Sequence, residues 1–145
     1  MSAADEERER NLALLKEGTE AYNRGELGFA VQHAADDVEV FVHHELINEG
    51  TNRGRDGFAR WMANWQEAWS EMTIDIRDVE TIDDTHLLVD VFQRGVGAAS
   101  GVPVEMDLFQ LIEVRDGQIA RFHLYPDRET ALAGLEQMRA AEGAA

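Results

Sequence analysis

The change from a helical to a strand-like hydrophobic pattern near residue 70 constrains the fold of this chain most. Residues 58–69 carry apolar side chains every three or four positions, which predicts an amphipathic helix with all three tryptophans on one face. Residues 72–81 instead alternate apolar and polar side chains, as a half-buried strand does. Further strands are predicted at residues 87–96, 104–114 and 119–125. Because only short turns separate these four strands, we expect an antiparallel meander.

Signals before and after this region complete the predicted order of elements. Two earlier helices and one earlier strand are predicted, at residues 6–24, 27–34 and 38–43. Gly25 stands where a glycine commonly ends a helix, and residues 45–56 are predicted to form a loop. Asp127 can cap a last helix, which carries an apolar face of its own. We therefore expect an α+β fold, a single domain spanning residues 1–145, with the helices covering one face of the sheet.

The composition disfavours several classes of partner. The formal net charge of −16 argues against nucleic acids and anionic membrane surfaces, which bind clusters of Lys and Arg. The chain has no cysteine, so disulfides and thiolate chemistry are excluded. No apolar run approaches about 18 residues, and the acidic start MSAADEERER lacks the apolar core of a signal peptide. We expect a cytoplasmic protein that requires neither a metal nor a cofactor.

Five short motifs, in this order and spacing, carry a family resemblance. They are residues 21–26 (AYNRGE), 37–40 (DVEV), 53–58 (RGRDGF), 114–119 (VRDGQI) and 127–135 (DRETALAGL). Together they resemble the SnoaL-like polyketide cyclase family of the nuclear transport factor 2-like superfamily, over about residues 8–138. The resemblance implies a cone in which a curved, mostly antiparallel sheet wraps the N-terminal helices around an apolar cavity. It also implies that dimers are common.

The resemblance also implies where relatives carry their reactive groups. Polyketide cyclases that resemble this chain have an acid/base aspartate near the position of Leu124. Ketosteroid isomerases have a base near Val42 and oxyanion donors near Gly18 and Gln110. Of these four positions, only Gln110 retains a donor, and a carboxamide cannot act as a general base. We therefore favour a small-molecule-binding protein, with a cofactor-independent isomerase, cyclase or epoxide hydrolase as the alternative.

The faces of the last strand depend on the turn at Asp116–Gly117. A two-residue turn would place Gln110 opposite His123 and bring that histidine towards the cavity. A three-residue loop, with glycine as a left-handed bulge, would place Gln110 opposite Phe122. The bulged loop would direct Phe122 and Leu124 into the cavity and turn His123 outward. Turn chemistry and the resemblance favour the bulged loop.

Large and polar side chains on the predicted inner faces are the candidate ligand contacts. The tryptophan stripe serves core packing or a pocket wall, and these two interpretations are compatible. A buried carboxamide at Gln110 contacts either a ligand or an internal partner. The candidate ligand-binding residues are Tyr22, Trp61, Trp65, Gln110, Phe122 and Leu124.

His43 and Asp90 are the weak catalytic candidates. His43 and Glu45 could form an acid/base pair at a pocket rim, part of a metal site that lacks a third ligand, or a solvated loop. Asp90 lies in an apolar strand, either as a cavity acid or as an outer-face residue paired with Arg94 or a neighbouring arginine.

The expected partners are a hydrophobic small molecule and a second copy of the chain. The ligand would be apolar and either cyclic or carbonyl-bearing. The homodimer would form through the outer sheet face, with apolar contacts from Phe109 and Leu111 and with Asp107 and Glu113 at the margin.

Overall fold

The computed structural model of the chain describes residues 2–46 and 49–144. The helices are α1 (Ala3–Asn23), α2 (Gly28–Gln32), α3 (Gly54–Glu67) and α4 (Arg128–Ala144). The strands are β1 (Ala34–Val42), β2 (Gly50–Arg53), β3 (Trp69–Thr81), β4 (His86–Gly97), β5 (Pro103–Arg115) and β6 (Gln118–Tyr125). They form one curved sheet in the order β2-β1-β6-β5-β4-β3. None of these helices is both long and apolar enough to cross a membrane.

The predicted α+β class and the meander of the last four strands are confirmed. Neighbouring strands from β3 to β6 pair antiparallel, whereas β1 and β6 run parallel, so the sheet is mixed. The predicted loop at residues 45–56 is wrong in part, because Gly50–Arg53 pairs antiparallel with β1. The sequence GTNR lacks the β-branched and aromatic alternation of a strand, and backbone pairing with β1 forms this edge strand instead. Asn48 of that loop lies outside the described residues.

The predicted helix at residues 58–69 begins earlier and ends earlier than its apolar stripe. α3 runs from Gly54 to Glu67 and buries Phe58, Trp61 and Trp65, as predicted. Trp69 lies in β3 opposite Gly97, so the prediction that all three tryptophans share the helix face is wrong. The pairing of β3 with β4 extends to Trp69 and overrides its helical spacing. Its ring still lies 6.2 Å from that of Trp65.

The turn between β5 and β6 has two residues, contrary to the favoured prediction. Asp116 and Gly117 have φ angles of 53° and 76°, both left-handed, as a two-residue hairpin turn requires. Arg115 pairs with Gln118 directly across this turn. A bulged three-residue loop is therefore wrong at this position.

A bulge does occur, but it lies within β6, at Ala120, rather than in the turn. Val114 pairs with Ile119, whereas Glu113 pairs with Arg121, so Ala120 is an extra residue on β6. Beyond this bulge Gln110 lies opposite Leu124, which corrects both predicted registers. Gln110 therefore pairs with neither His123 nor Phe122, the two partners that were predicted. Phe122 and Leu124 nevertheless face the cavity, as predicted.

Helix α4 packs on the sheet face opposite α1 and α3, so the prediction that all helices cover one face is wrong. The apolar face of α4, with Leu135 and Met138, forms a second core cluster with Leu111 and Tyr125. Leu111 is fully buried there and cannot supply the predicted dimer contact. Glu113 is 1% exposed, so it does not lie at an accessible margin either. The predicted cap of this helix is confirmed, since the Thr130 amide donates to Asp127 Oδ1 at 2.8 Å.

Gly134 lets α4 approach the sheet closely. A Cβ atom at this position would overlap the hydroxyl of the buried Tyr125. A Cβ atom on Gly28, in α2, would meet only open space.

Replacing Gly134 with alanine should lower the free energy of unfolding by about 1–3 kcal/mol, because the added methyl group overpacks the α4–sheet contact. Helix propensity alone would predict the opposite, a gain of roughly 0.5–1 kcal/mol. Urea denaturation of Gly134→Ala, with Gly28→Ala as the matched control, separates these effects. A Gly134→Ala variant as stable as the parent would contradict the close approach.

Candidate functional site

A cavity of about 90 Å³ lies between α1, α3 and the inner face of the sheet. Its wall is largely apolar, with leucine, isoleucine, valine and aromatic side chains. All six residues predicted to bind ligand line it: Tyr22, Trp61, Trp65, Gln110, Phe122 and Leu124. Their placement agrees with the prediction, and their role in binding stays a prediction.

Local periodicity explains which side chains reach this cavity. On α1 the inward stripe runs through Asn11, Leu15 and Tyr22, at spacings of one and two helical turns. Leu12, also on α1 but off this stripe, is 37% exposed. On the strands, alternation directs every second side chain inward, as in Leu108 and Gln110 of β5.

The polar groups of the cavity wall are neutral, and part of them serve the fold. Asn11 Nδ2 donates to the Asp84 carbonyl at 2.9 Å, and Thr19 Oγ1 donates to the Leu15 carbonyl at 2.9 Å. Burial raises the pKa of Tyr22 well above its usual value, so its hydroxyl stays protonated at neutral pH. Among the described residues that line the cavity there is no carboxylate and no imidazole.

The four positions to which the resemblance assigns reactive groups do reach this part of the fold. Gly18, Gln110 and Leu124 line the cavity, and Val42 is buried in the core beside it. Glycine, leucine and valine cannot transfer a proton. Gln110 is 7% exposed, and no hydrogen bond to its carboxamide is seen within residues 2–46 and 49–144.

Met72 is a functional candidate that sequence reasoning missed. Its sulfur accepts hydrogen bonds from Tyr22 Oη at 3.1 Å, Trp65 Nε1 at 3.1 Å and Gln93 Nε2 at 3.3 Å. These donors come from α1, α3 and β4, and lie 50, seven and 21 residues from Met72 in the sequence. The alternation of β3 indicates that Met72 faces inward, but no sequence pattern indicates that three donors meet at its sulfur.

Two polar atoms in the cavity wall have no hydrogen-bond partner among the described residues. They are Trp61 Nε1, a donor, and Gln93 Oε1, an acceptor, and both are buried. Buried polar atoms in folded proteins are nearly always paired, so unpaired atoms often mark a place where a ligand, ion or water binds. Trp61 and Gln93 both line the cavity, so each brings one unpaired polar atom to its wall.

His43 does not reach the cavity, contrary to its candidacy as a rim base. It lines a second groove, of about 360 Å³, between α4 and the outer face of β1 and β6. Its Nδ1 atom accepts from the Glu45 amide at 3.2 Å, so the backbone of Glu45 contacts it rather than the predicted carboxylate. Within the described part of the chain, no three His, Asp or Glu side chains are arranged to hold a metal ion.

Asp90 is also excluded from the cavity. It pairs across the strands with Phe109, and the residues on either side of it, Val89 and Val91, are fully buried in the inner core. Strand alternation therefore directs the carboxylate to the outer face. This is the predicted outer-face alternative, although Arg94 pairs with another carboxylate: its Nη2 atom lies 3.1 Å from Asp75 Oδ2.

The outer groove holds the titratable groups that the cavity lacks. His123 Nε2 lies 2.9 Å from Glu39 Oε1, and His123 Nδ1 lies 3.3 Å from the Tyr125 hydroxyl. Burial lowers the pKa of His123, although the Glu39 carboxylate opposes the shift. Burial and Glu39 raise the pKa of Tyr125 to about 12. At neutral pH the histidine and the tyrosine are therefore both uncharged.

The pKa of a second buried histidine on the same sheet face, His86, is shifted in the opposite direction. His86 Nδ1 lies 2.8 Å from Asp83 Oδ1, and its Nε2 lies 3.4 Å from Glu113 Oε1. The carboxylates of Glu113 and Asp83 raise the pKa of His86, against the effect of burial. The charged form of His86 is thus favoured, whereas that of His123 is disfavoured.

The two histidines should titrate on opposite sides of 6.5, the ordinary value for an imidazole. Stability from the His86 pairing is complete below about pH 6.5 and is lost as pH rises through the raised pKa. His123 has the opposite effect. Its pKa is lower in the folded chain than in the unfolded chain, so its contribution to stability is complete well above pH 6.5 and is lost as pH falls below about 6.5. NMR titration of the imidazole signals, assigned with His86→Gln and His123→Gln, measures both midpoints. A His123 midpoint above that of His86 would contradict the geometry.

The cavity, the N-terminal helices and the curved mixed sheet define a protein of the nuclear transport factor 2-like class. Within this class, the profile of the SnoaL-like domain matches residues 15–122, which is most of the chain. The chain therefore belongs to the SnoaL-like domain family, and the resemblance stated from its motifs is confirmed. The match ends before α4.

Solved structures support the same fold at low sequence identity. An NTF2-like protein of unknown function from Burkholderia pseudomallei is 17% identical over 81% of this chain and 91% of its own, with a TM-score of 0.73. A Jannaschia protein assigned to the SnoaL-like polyketide cyclases is 13% identical over 91% and 93%, with a TM-score of 0.74. A Catenulispora acidiphila protein with a ketosteroid isomerase-like fold, in complex with trimethylamine, is 15% identical over 77% and 83%, with a TM-score of 0.68. A search of curated proteins finds no match.

Proposed function

We propose that this protein binds a small, mostly apolar molecule in its central cavity and performs no acid/base chemistry there. The observation that carries the proposal is the lining, which combines tryptophan, phenylalanine and leucine with a few neutral polar groups. Small-molecule sites have this composition, with polar groups that orient the ligand. Proton transfer at neutral pH needs a group whose pKa lies near 7, and the described lining residues supply none.

The cavity size favours a ligand of one small ring. A cavity of about 150 Å³ is large enough to bind benzene, and drug-sized ligands occupy roughly 300–1,000 Å³. The cavity here is about 90 Å³. A multi-ring substrate would therefore need side chains of the wall to move.

The unpaired polar atoms favour a ligand with a hydroxyl or carbonyl group. Trp61 Nε1 can donate to such a group, and Gln93 Oε1 can accept from a hydroxyl. The Gln110 carboxamide can do both. Pairing a buried atom that otherwise has no partner recovers about 1–3 kcal/mol, which gives the ligand an advantage over a pure hydrocarbon.

The alternative, a cofactor-independent acid/base enzyme, is favoured by one observation outside the cavity. Glu39, His123 and Tyr125 form a carboxylate–imidazole–hydroxyl chain in the outer groove, with separations of 2.9 and 3.3 Å. In this chain Glu39 would orient the imidazole, and the uncharged His123 would be the candidate general base. Any catalysis would therefore be lost in His123→Gln and kept in a variant that fills the cavity.

Cyclopentanone should bind the parent protein and raise its melting temperature by about 3–6 °C at ten times Kd. Leu124→Trp fills the cavity and should abolish the shift. Leu132→Trp, a matched substitution on α4 outside the cavity lining, should keep it. Calorimetric titration gives Kd directly.

Cyclopent-3-enone, offered as a substrate, should isomerise only at its uncatalysed rate in the presence of the parent protein. The wild-type protein failing to bind cyclopentanone, or Leu124→Trp binding it unchanged, would rule out the proposed site. Isomerisation well above background would favour the enzyme alternative.

We also infer that the chain forms a homodimer through the part of the outer sheet face that α4 leaves uncovered. Phe92 and Phe109 are partly exposed on that face. The guanidinium of Arg77 lies 4.5 Å from the centroid of Phe92, and its Nη1 atom lies 2.7 Å from Asp107 Oδ1. Aromatic side chains beside charged groups are typical of the centre and rim of an interface.

Phe109→Gln should shift the protein from dimer to monomer, since it removes an apolar contact at the proposed interface. Val102→Gln is the control, because Val102 is 54% exposed in the loop between β4 and β5, away from this face. Light scattering after gel filtration measures both masses. A monomeric parent protein would refute the interface.

A further inference from the structure

Three hydrogen-bond donors from different elements converge on one thioether at the edge of the cavity. Tyr22 Oη, Trp65 Nε1 and Gln93 Nε2 lie 3.1, 3.1 and 3.3 Å from Met72 Sδ. All three residues line the cavity. We call Tyr22, Trp65 and Gln93 the donor cluster.

A thioether is a poor partner for such a cluster. Sulfur in methionine is a weak acceptor, whereas a carbonyl oxygen has two lone pairs and accepts strong hydrogen bonds. Buried donors that lack a good acceptor carry much of the cost of leaving water. The donor cluster is therefore under-satisfied, and an oxygen atom at the position of the sulfur would pair it better.

Met72 can leave this position. Methionine is unbranched and flexible, and Met72 is half-buried on β3 rather than enclosed in the core. Movement of its side chain would add space to a cavity of about 90 Å³, which is small for a ligand site. The same movement would expose the donor cluster to whatever occupies the cavity.

We propose that the Met72 sulfur occupies the site of a ligand carbonyl oxygen, so that the natural ligand is a small neutral ketone or a related carbonyl compound. The inference rests on the proposed function and adds the ligand class. The three atoms directed at the sulfur, Tyr22 Oη, Trp65 Nε1 and Gln93 Nε2, all donate, so this position favours an acceptor oxygen over an N–H donor.

The surroundings select a neutral carbonyl over a carboxylate. No Lys or Arg is among the described residues lining the cavity, and the whole chain carries a formal charge of −16. Burying a carboxylate without a cation would be strongly unfavourable. A ketone meets the donors without this cost.

Cyclopentanone and methylenecyclopentane test the inference, because they share ring and shape and differ in the acceptor oxygen. The ketone should bind about tenfold more tightly, as expected for two or three new hydrogen bonds that replace bonds to sulfur. Tyr22→Phe removes one donor and should weaken ketone binding about fivefold, with no effect on the alkene. Tyr125→Phe, at the other tyrosine of the chain, should change neither.

A second readout follows the sulfur itself. The chain has five methionines, and Met72→Leu assigns the methyl signal of Met72 in protein labelled with ¹³C-methyl methionine. Cyclopentanone should shift this signal strongly because the sulfur leaves the donor cluster, and methylenecyclopentane should shift it less. Trp65→Phe serves as a second donor deletion if Tyr22→Phe folds poorly.

The outcomes separate the inference from the proposed function. If neither compound binds, the proposed function fails. If both bind with equal affinity, the cavity binds ligands but the carbonyl inference is overturned. A ketone preference that persists undiminished in Tyr22→Phe and Trp65→Phe, with an unchanged Met72 signal, would also overturn it.

Discussion

The bulge at Ala120 in β6 is the constraint on which the division between the two faces of this protein depends. Strand alternation would place Ile119, Arg121 and His123 on the same face. The extra residue lets Ile119 and Phe122 both line the cavity and turns His123 to the outside. Without it, a guanidinium and an imidazole would enter an apolar cavity at high energetic cost. One residue therefore makes the cavity neutral.

This separation gives the two faces different chemistry. Inside, neutral donors and acceptors surround an apolar cavity, and the donor cluster converges on Met72. Outside, carboxylates, imidazoles and guanidiniums pair under and beside α4, as in the contact of Glu39 with His123. The titratable residues of the described sheet thus lie outside the cavity lining, which is neutral.

The candidate site was predictable from the sequence to the extent that it depends on local pattern and family. Helical spacing indicated Tyr22, Trp61 and Trp65, and the resemblance indicated Phe122 and Leu124. Whether His43 and Asp90 face the cavity was not predictable. It depends on which face of the sheet α4 covers and on which side chains of each strand point inward. Met72 was missed because its partners are 50, 21 and seven residues away in the chain.

The sequence by itself determined the helices, the four-strand meander, the cap at Asp127 and the family, because periodicity, capping and turn chemistry are local. Tertiary structure alone decided that GTNR pairs as an edge strand, that Trp69 joins β3, and that α4 covers the outer face. It also decided the register of β6, since a two-residue turn and a bulge together shift the pairing in a way neither predicts alone. These features depend on distant backbone partners, whose hydrogen bonds and packing override local preference.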